Sequence, residues 1–366
     1  MVDGREAVSG PTPVAVITGF LGSGKTTLLR QLLRDPAMGR TAVIINEFGE
    51  IGIDHDLIES SDENFIELTT GCLCCKVRSD LVMTLRDMAR RRADGALPPF
   101  ERVLIETSGL ADPAAILQAL MIDPELAGIY VLGEVITTVD SLLGLETLDR
   151  HRQSARQVAA ADRILLTKGD LAVPSAALDA RLHRLNPCAR RFTVAYGAIA
   201  ASTLFDNRPG ECIPITRYLP VHGGFRASIA GYAATSDAHV HDPRIGSWCL
   251  VRERPLHALT LPLFLEGLME HCGDRLLRVK GIIGVLEQPG HPAVLHGVQH
   301  VVHPLQWLER WPSDDRRTRI VFIGEAIPTE WISTLLEVLD EDVCRAQARH
   351  EAVRSGGAPI NPRRRS

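Results

Sequence analysis

The run Gly19-Phe20-Leu21-Gly22-Ser23-Gly24-Lys25-Thr26 constrains this chain more than any other. It fits G-x-x-x-x-G-K-[ST], with an apolar stretch before it (residues 14–18) and a helical pattern after it (residues 25–33). Gly19, Gly22 and Gly24 permit positive φ and close backbone approach, so successive N–H groups can surround phosphate oxygens. The N-terminus of the following helix adds its partial positive charge. Ser23 and Thr27 flank the turn and join the glycines as phosphate-binding candidates. Lys25 is placed to reach the β- and γ-phosphates, and the Thr26 hydroxyl to hold Mg²⁺.

A loop of this kind asks for a parallel sheet behind it. Apolar runs at 41–46, 65–68, 102–106, 130–139 and 163–167 alternate with helical patterns at 79–92 and 175–185. That alternation predicts right-handed crossovers and a doubly wound, mostly parallel α/β sheet covered on both faces. The pattern fades after residue 204. Residues 207–242 are rich in Pro, Gly, Ser and Ala and read as a linker. Beyond it, 248–251, 280–285, 293–302 and 319–323 read as strands, and 262–272 and 330–348 as helices, which predicts a second, smaller α+β domain. The expected organisation is a disordered N-terminus (1–11), a nucleotide domain (12–206), the linker, a second domain (243–350) and a disordered tail (351–366). A length of 366 residues suits two domains.

Composition excludes other classes. A net charge of −5 argues against nucleic-acid binding. No apolar run approaches the length of a membrane span, and the N-terminus lacks the apolar core of a signal peptide. Eight cysteines are too sparse for a disulfide scaffold, so reduced thiols in the cytoplasm are expected.

Two motifs extend the phosphate site. Glu106 ends the apolar run 102–106 and is a candidate for the Mg²⁺ shell, while the Gly109 amide is placed to sense the γ-phosphate. Thr167-Lys168-Gly169-Asp170 follows the run 163–167 and fits [NT]-K-x-D. The Asp170 carboxylate can accept from guanine N1 and N2, where adenine offers no such donor pair, and the Lys168 stem can lie over the base. A solvated Lys–Asp loop is the plain alternative.

Gly71-Cys72-Leu73-Cys74-Cys75-Lys76 places three of the eight cysteines within four positions. Soft thiolates favour Zn²⁺ or Cu(I), and three of them need a fourth ligand or leave a position open for transfer. Lys76 and Arg78 favour the thiolate form. Buried structural thiols are the alternative, and the scattered Cys188, Cys212, Cys249, Cys272 and Cys344 read as core or surface residues. Upstream, residues 46–56 form an acidic, glycine-containing stretch. Glu47, Glu50 or Asp54 can complete the thiolate site, and the stretch can respond to γ-phosphate and Mg²⁺.

Taken together, these residues resemble the CobW/YjiA-type P-loop GTPases, relatives of the hydrogenase and urease nickel-insertion GTPases. The resemblance runs over about residues 12–345, through TGFLGSGKTTLL, VIINEFGEIGIDHDLI, ELTTGCLCC, RVLIETSGLADP, ADRILLTKGD, RLLRVKGIIG, HGVQH and RIVFIGE. It implies a GTPase domain with a smaller CobW C-terminal domain. It also implies a metallochaperone, in which Cys72, Cys74 and Cys75 hold Zn²⁺ with Glu50 nearby and GTP controls delivery to a client metalloprotein. Some YjiA-like members have Glu where this chain has Ile45, so a metal site using that carboxylate is lost here. A homodimer stays open. Cobalt or iron insertion, of the cobalamin-synthesis or nitrile-hydratase type, and a GTP-controlled binding module with structural zinc are the alternatives.

His239 and His241, in the linker, and His296 and His300, on one face of a strand if 293–302 is one, are candidate secondary metal groups. Leu110 and Ala111 cannot orient a water. Asp54 and Asp112 are the nearest carboxylates that can, which predicts slow intrinsic hydrolysis.

Overall fold

The structure is a computed structural model that describes residues 10–45, 74–205 and 245–354. The expected strand at 65–68, the acidic stretch with Glu47, Glu50 and Asp54, Cys72, the linker and its two histidines lie outside the described residues.

The first domain runs β1 (Thr12–Gly19), α1 (Lys25–Leu32), β2 (Thr41–Ile45), α2 (Cys74–Ala93), β3 (Arg102–Glu106), α3 (Pro113–Ile122), α4 (Pro124–Ile129), β4 (Tyr130–Asp140), α5 (Gly144–Arg150), α6 (Arg152–Ala160), β5 (Arg163–Thr167), α7 (Ala176–Leu185), β6 (Arg190–Thr193) and α8 (Ala201–Phe205). Its six strands are all parallel, in the order β2-β3-β1-β4-β5-β6. Successive side chains of β1 face opposite ways. Val14 and Val16 meet Leu81, Leu85 and Met88 of α2 and Leu117 and Leu120 of α3, while Ala15 and Ile17 meet Leu28, Leu29 and Leu32 of α1. Asp112, Asp123 and Ser175 cap the starts of α3, α4 and α7 through their side-chain oxygens. The chain leaves β1 toward β2 on one side and reaches β4 on the other, so the strand order reverses at the end of β1. Ligands of doubly wound sheets sit at that crevice.

The second domain runs β7 (Ile245–Arg252), α9 (Thr260–Cys272), β8 (Leu276–Ile283), β9 (Ala293–Val298), β10 (Val301–Val302), β11 (Gln306–Trp307), β12 (Thr318–Glu325) and α10 (Thr329–Arg354). The sheet is antiparallel, in the order β10-β9-β8-β12-β7, with β11 on β9. Ile320 and Phe322 of β12 face Phe264, Leu268, Ile332 and Leu336 of α9 and α10. Val321 and Ile323, on the other face, join Val158 of α6 and Leu178, Leu182 and Leu185 of α7. The two domains therefore share a core. α10 runs past the expected boundary at 350, and no helix among the described residues is long and apolar enough to cross a membrane.

One expected strand is two. Residues 293–302 form a hairpin, with Val301 paired to Val298 and Gln299 at φ +52° in the turn. No Gly or Asn announces that turn, so the apolar run reads straight through it. His300 therefore sits at the turn, 2.8 Å from Asp274, whereas His296 is on β9 opposite Lys280. The two histidines share no face, and among the described residues no cluster of three or more His, Cys, Asp or Glu fits a metal.

A buried ionic seam joins the domains. Asp162, between α6 and β5, accepts from Arg278 Nη2 of β8 at 3.0 Å, from Lys280 Nζ, and from the Val135 amide at 2.8 Å. Burial alone would raise the Asp162 carboxyl; Lys280 and Arg278 overcome this and hold it well below the ordinary carboxylate range. Beside the seam, burial and then Lys280 and Arg278 push His296 well below its usual value, and burial and then Arg278 bring His303 down to about 4. Both stay neutral in the folded chain where unfolded histidine takes up a proton. The unfolded state binds more protons, so stability falls as pH drops below about 6.5, by up to about 1.4 kcal/mol per pH unit for each group. For His303 the loss continues to about pH 4. Glu134, raised by burial and by Asp162 against Arg163, works in the opposite sense above its ordinary value. Urea midpoints are expected to fall between pH 7 and 5, and less steeply in His296→Gln and His303→Gln. Equal slopes in all three proteins would show that these histidines carry none of the dependence.

Candidate functional site

The phosphate loop closes the crevice at the end of β1. Gly19, Gly22 and Gly24 have φ of +145°, +69° and +90°, values that an L side chain rarely adopts. A Cβ on Gly19 would lie 2.2 Å from Thr138 Oγ1 and 2.7 Å from Ser23 Oγ, so this position accepts only glycine. Ser23 Oγ is itself 2.7 Å from Thr138 Oγ1, which pins the turn to β4. Lys25 is buried, with Nζ donating to the Phe20 carbonyl across the loop at 3.2 Å. Thr27 is exposed, and its carbonyl lies against Gly197.

Thr26 and Glu106, the residues expected to hold Mg²⁺, stand together. Thr26 Oγ1 donates to Glu106 Oε1 at 2.8 Å, joining the start of α1 to the end of β3, and Glu106 is buried. A hydroxyl and a carboxylate this close beside a glycine cradle are the hard oxygen donors that Mg²⁺ takes together with phosphate oxygens. The residues present thus fit a nucleoside phosphate with Mg²⁺.

The segment expected to sense the γ-phosphate follows β3. Thr107 donates through N to Ile17 O and through Oγ1 to Thr18 Oγ1, both at 2.9 Å. Gly109 presses on Leu21 of the phosphate loop, where a Cβ would come within 2.8 Å of the Leu21 nitrogen. Asp112 does not stand ready for a water. Its Oδ1 caps Ala114 N at 3.0 Å and its Oδ2 meets Arg156 Nη1 at 2.5 Å.

The loop 167–170, expected to read the base, is tied to the phosphate loop. Thr167 Oγ1 donates to the Ser23 carbonyl at 2.7 Å, and Gly24 lies against the same side chain. Lys168 has φ +56° and sends Nζ to Asp140 Oδ2 at 2.6 Å. Burial would raise Asp140, but the Lys168 bond and the amides of Leu143 and Leu142 lower it below its usual range. Asp170 is exposed and accepts from the Tyr196 amide at 3.1 Å. The turn 194–197 completes this side, since Gly169 N donates to Val194 O at 3.0 Å and Gly197 (φ +71°) packs on the backbone of Thr27 and Leu28. Sequence reasoning missed this turn, Thr138 and Asp140. Asp140 gave a usable signal, because it ends a buried strand as Glu106 does.

Of the thiolate motif, Cys74 and Cys75 open α2, and Cys72 and Glu50 lie outside the described residues. The far end of α2 is anchored near the start of β1, with Arg92 Nη1 2.9 Å from Thr12 Oγ1. As the crossover between parallel β2 and β3, α2 runs opposite to the strands. Its first turn therefore points to the end of the sheet that carries the phosphate loop. Cys188 is unlike a metal ligand, since burial pushes its thiol up to about 12.

Comparison with known proteins agrees with this architecture. Residues 13–193 match the CobW/HypB/UreG nucleotide-binding domain, and residues 245–339 the cobalamin synthesis protein cobW C-terminal domain. The zinc chaperone YjiA of Escherichia coli K12 is 33% identical over 325 residues, spanning 88% of this chain and 96% of YjiA. The chain belongs to the CobW family of P-loop GTPases. The zinc chaperone CobW of Pseudomonas aeruginosa is 32% identical, over 88% of this chain and 90% of its own. The zinc-regulated GTPase metalloprotein activator 1 of Saccharomyces cerevisiae is 27% identical, over 88% and 82%. The crystal structure of Zn(II)-bound YjiA GTPase superposes with a TM-score of 0.64 at 29% identity, covering 90% of this chain and 99% of that one.

Proposed function

We propose that this CobW-family chain hydrolyses GTP and carries zinc on Cys72, Cys74 and Cys75, releasing it to a client metalloprotein according to the nucleotide state. The observation that carries the reading is the Thr26–Glu106 pair, 2.8 Å apart at a glycine cradle whose Ser23 carbonyl is held by the base loop. It stands in a chain whose relatives are named zinc chaperones.

In this reading Mg²⁺, held by Thr26 and Glu106, supplies charge neutralisation on the outer phosphates. Lys25 leaves the Phe20 carbonyl and turns to the same oxygens. The backbone of Gly19, Gly22, Ser23 and Gly24 wraps the phosphates, with Thr27 in the first turn of α1. Gly109 senses the γ-phosphate, and Thr167, Lys168 and Asp170 select guanine. Asp112 is engaged by Arg156, and Leu110 and Ala111 cannot hold a water, so among the described residues 110–112 none is placed to orient one; intrinsic hydrolysis is slow and a client or metal accelerates it. Three soft thiolates favour zinc, with Glu50 as the added oxygen ligand. Free thiolates persist in a reducing compartment, which supports a cytoplasmic location.

The test is to titrate Zn²⁺ and Co²⁺ into wild-type and Cys74→Ala protein loaded with GDP or a GTP analogue. Zinc affinity is expected to fall at least about 10-fold in the variant and to differ between the two nucleotides in the wild type. Unchanged affinity in Cys74→Ala would remove the thiolate site. Nucleotide-independent affinity in the wild type would leave the zinc structural.

A further inference from the structure

Helix α6 touches both the sensing segment and the second domain. Gln157, fully buried, donates from Nε2 to the carbonyls of Gly109 and Ala111, each at 3.1 Å. One residue earlier, Arg156 Nη1 meets Asp112 Oδ2 at 2.5 Å. Arg156 also reaches Glu325 Oε1 through Nη2 at 3.3 Å. Arg152, one turn back on the same helix face, binds Glu325 Oε1 at 2.5 Å. Glu325 closes β12 of the second domain, and its carboxyl is lowered first by the Arg152 bond. The apolar side of α6, with Ala155, Val158 and Ala159, lies in the core shared with Val321 and Ile323 of β12.

We propose that Gln157 and Arg156 set the position of the γ-phosphate-sensing segment 109–112, and that Glu325 of the second domain adjusts that position through Arg152 and Arg156. The proposal rests on the GTPase reading and deepens it by naming the element that carries nucleotide state between the domains. Two carbonyls of one short segment share a single carboxamide, and the preceding residue, Arg156, holds the carboxylate that caps α3. Residues 109–112 cannot move relative to Leu21 without stretching these bonds. They cannot be released without leaving a buried amide short of acceptors, which is a costly state. The held position keeps Gly109 against the phosphate loop, ready for a triphosphate. α6 is gripped in turn by the other domain, through the shared core and through the Glu325 carboxylate, so whatever moves β12 is felt at Gly109. The coupling is reciprocal, so anything bound to the second domain that moves β12 biases the same segment.

Gln157 and Arg156 are positioning residues, and the test reads a quantity that simple destabilisation does not move. Affinities for GDP and for a non-hydrolysable GTP analogue, both with Mg²⁺, are measured on full-length wild type, Glu325→Gln, Arg156→Ala, the double variant and Gln157→Glu. The preference for the analogue over GDP is expected to fall about fivefold in Glu325→Gln and in Arg156→Ala, and no further in the double variant. GDP affinity stays within about twofold, because the base loop and the rest of the cradle are untouched. Gln157→Glu keeps the size but faces two carbonyls with a carboxylate, so kcat for GTP falls with little change in KM. Glu325→Asp restores part of the preference lost in Glu325→Gln. Glu325 is only partly buried and lies outside the apolar core, so its variants read the coupling even where Gln157→Glu fails to fold. A preference unchanged in both Glu325→Gln and Arg156→Ala overturns the coupling while leaving the GTPase reading intact. A wild type that binds no guanine nucleotide overturns that reading, and this proposal with it.

Discussion

Asp170→Asn is expected to bind GDP at least about 10²-fold more weakly than wild type and to bind the xanthine nucleotide instead. The Asp170 carboxylate is not a loose surface charge. The Tyr196 amide donates to its Oδ1 at 3.1 Å, which holds the carboxylate in place on an exposed loop. Guanine offers donors at N1 and N2, and an ionised acceptor there gives charge-assisted bonds that a neutral amide does not. Asn keeps an oxygen for the Tyr196 amide but presents an NH₂ to those donors, so the contact turns repulsive. Xanthine has a carbonyl where guanine has its amino group, and the same NH₂ can donate to it. The loop itself should persist, because Thr167 still holds the Ser23 carbonyl at 2.7 Å and Lys168 still holds Asp140 at 2.6 Å. Paired titrations with GDP and xanthosine diphosphate, alongside thermal melts, check this. GDP affinity equal to wild type in a folded variant would mean that Asp170 does not read the base.

The nucleotide domain was largely legible because its signals are local. Positive-φ glycines, a fully buried strand such as β5 and a carboxylate at the end of β3 each write themselves into a few adjacent residues. Arg102–Glu106 and Arg163–Thr167 form strands over the bounds that their apolar runs predicted. What sequence reading could not see depends on residues far apart in the chain. The strand order and the partners of Asp162 on β8 have no local trace. Gln157 looks like any polar residue on an amphipathic helix, and only the fold puts its carboxamide under Gly109. The hairpin at Gln299 was missed for a different reason: a non-glycine residue takes the left-handed conformation there, so the usual turn signal is absent. Asp112, one of two candidates for orienting a water, is engaged by a long-range partner, Arg156, forty-odd residues away. Arg156 makes that carboxylate part of the link between the domains, through the same contact that ties α3 to α6.

Gly109→Ala is expected to slow GTP hydrolysis by about 10²-fold, while GDP affinity changes less than about tenfold. A Cβ built at this position lies 2.6 Å from Leu21 Cδ2, 2.8 Å from the Leu21 nitrogen and 2.9 Å from Leu21 Cα. Real Cβ atoms do not come so close to other heavy atoms. The Leu21 side chain is 58% exposed and can swing away, so the first of these contacts is cheap to relieve. The other two are with phosphate-loop backbone, which the Ser23-to-Phe20 bond at 3.1 Å and the neighbouring glycines hold in one shape. On the other side, Thr107 is fixed to Thr18, and Gln157 holds the carbonyls of Gly109 and Ala111. Neither wall yields freely. The segment must therefore lift by several tenths of an ångström or the loop must tilt, and in both cases the Gly109 amide leaves the place where a γ-phosphate oxygen would meet it. A displacement of that size at a reacting centre costs about two orders of magnitude in rate, whereas GDP has no γ-phosphate to lose. Gly128→Ala, on α4 with nothing within 4 Å of its added Cβ, is the matched control and keeps the wild-type rate. Single-turnover hydrolysis of GTP by the three proteins, with GDP affinity measured in parallel, decides the matter. Hydrolysis by Gly109→Ala at the wild-type rate would mean that this segment senses nothing at the phosphate loop, and that the close packing against Leu21 serves the fold alone.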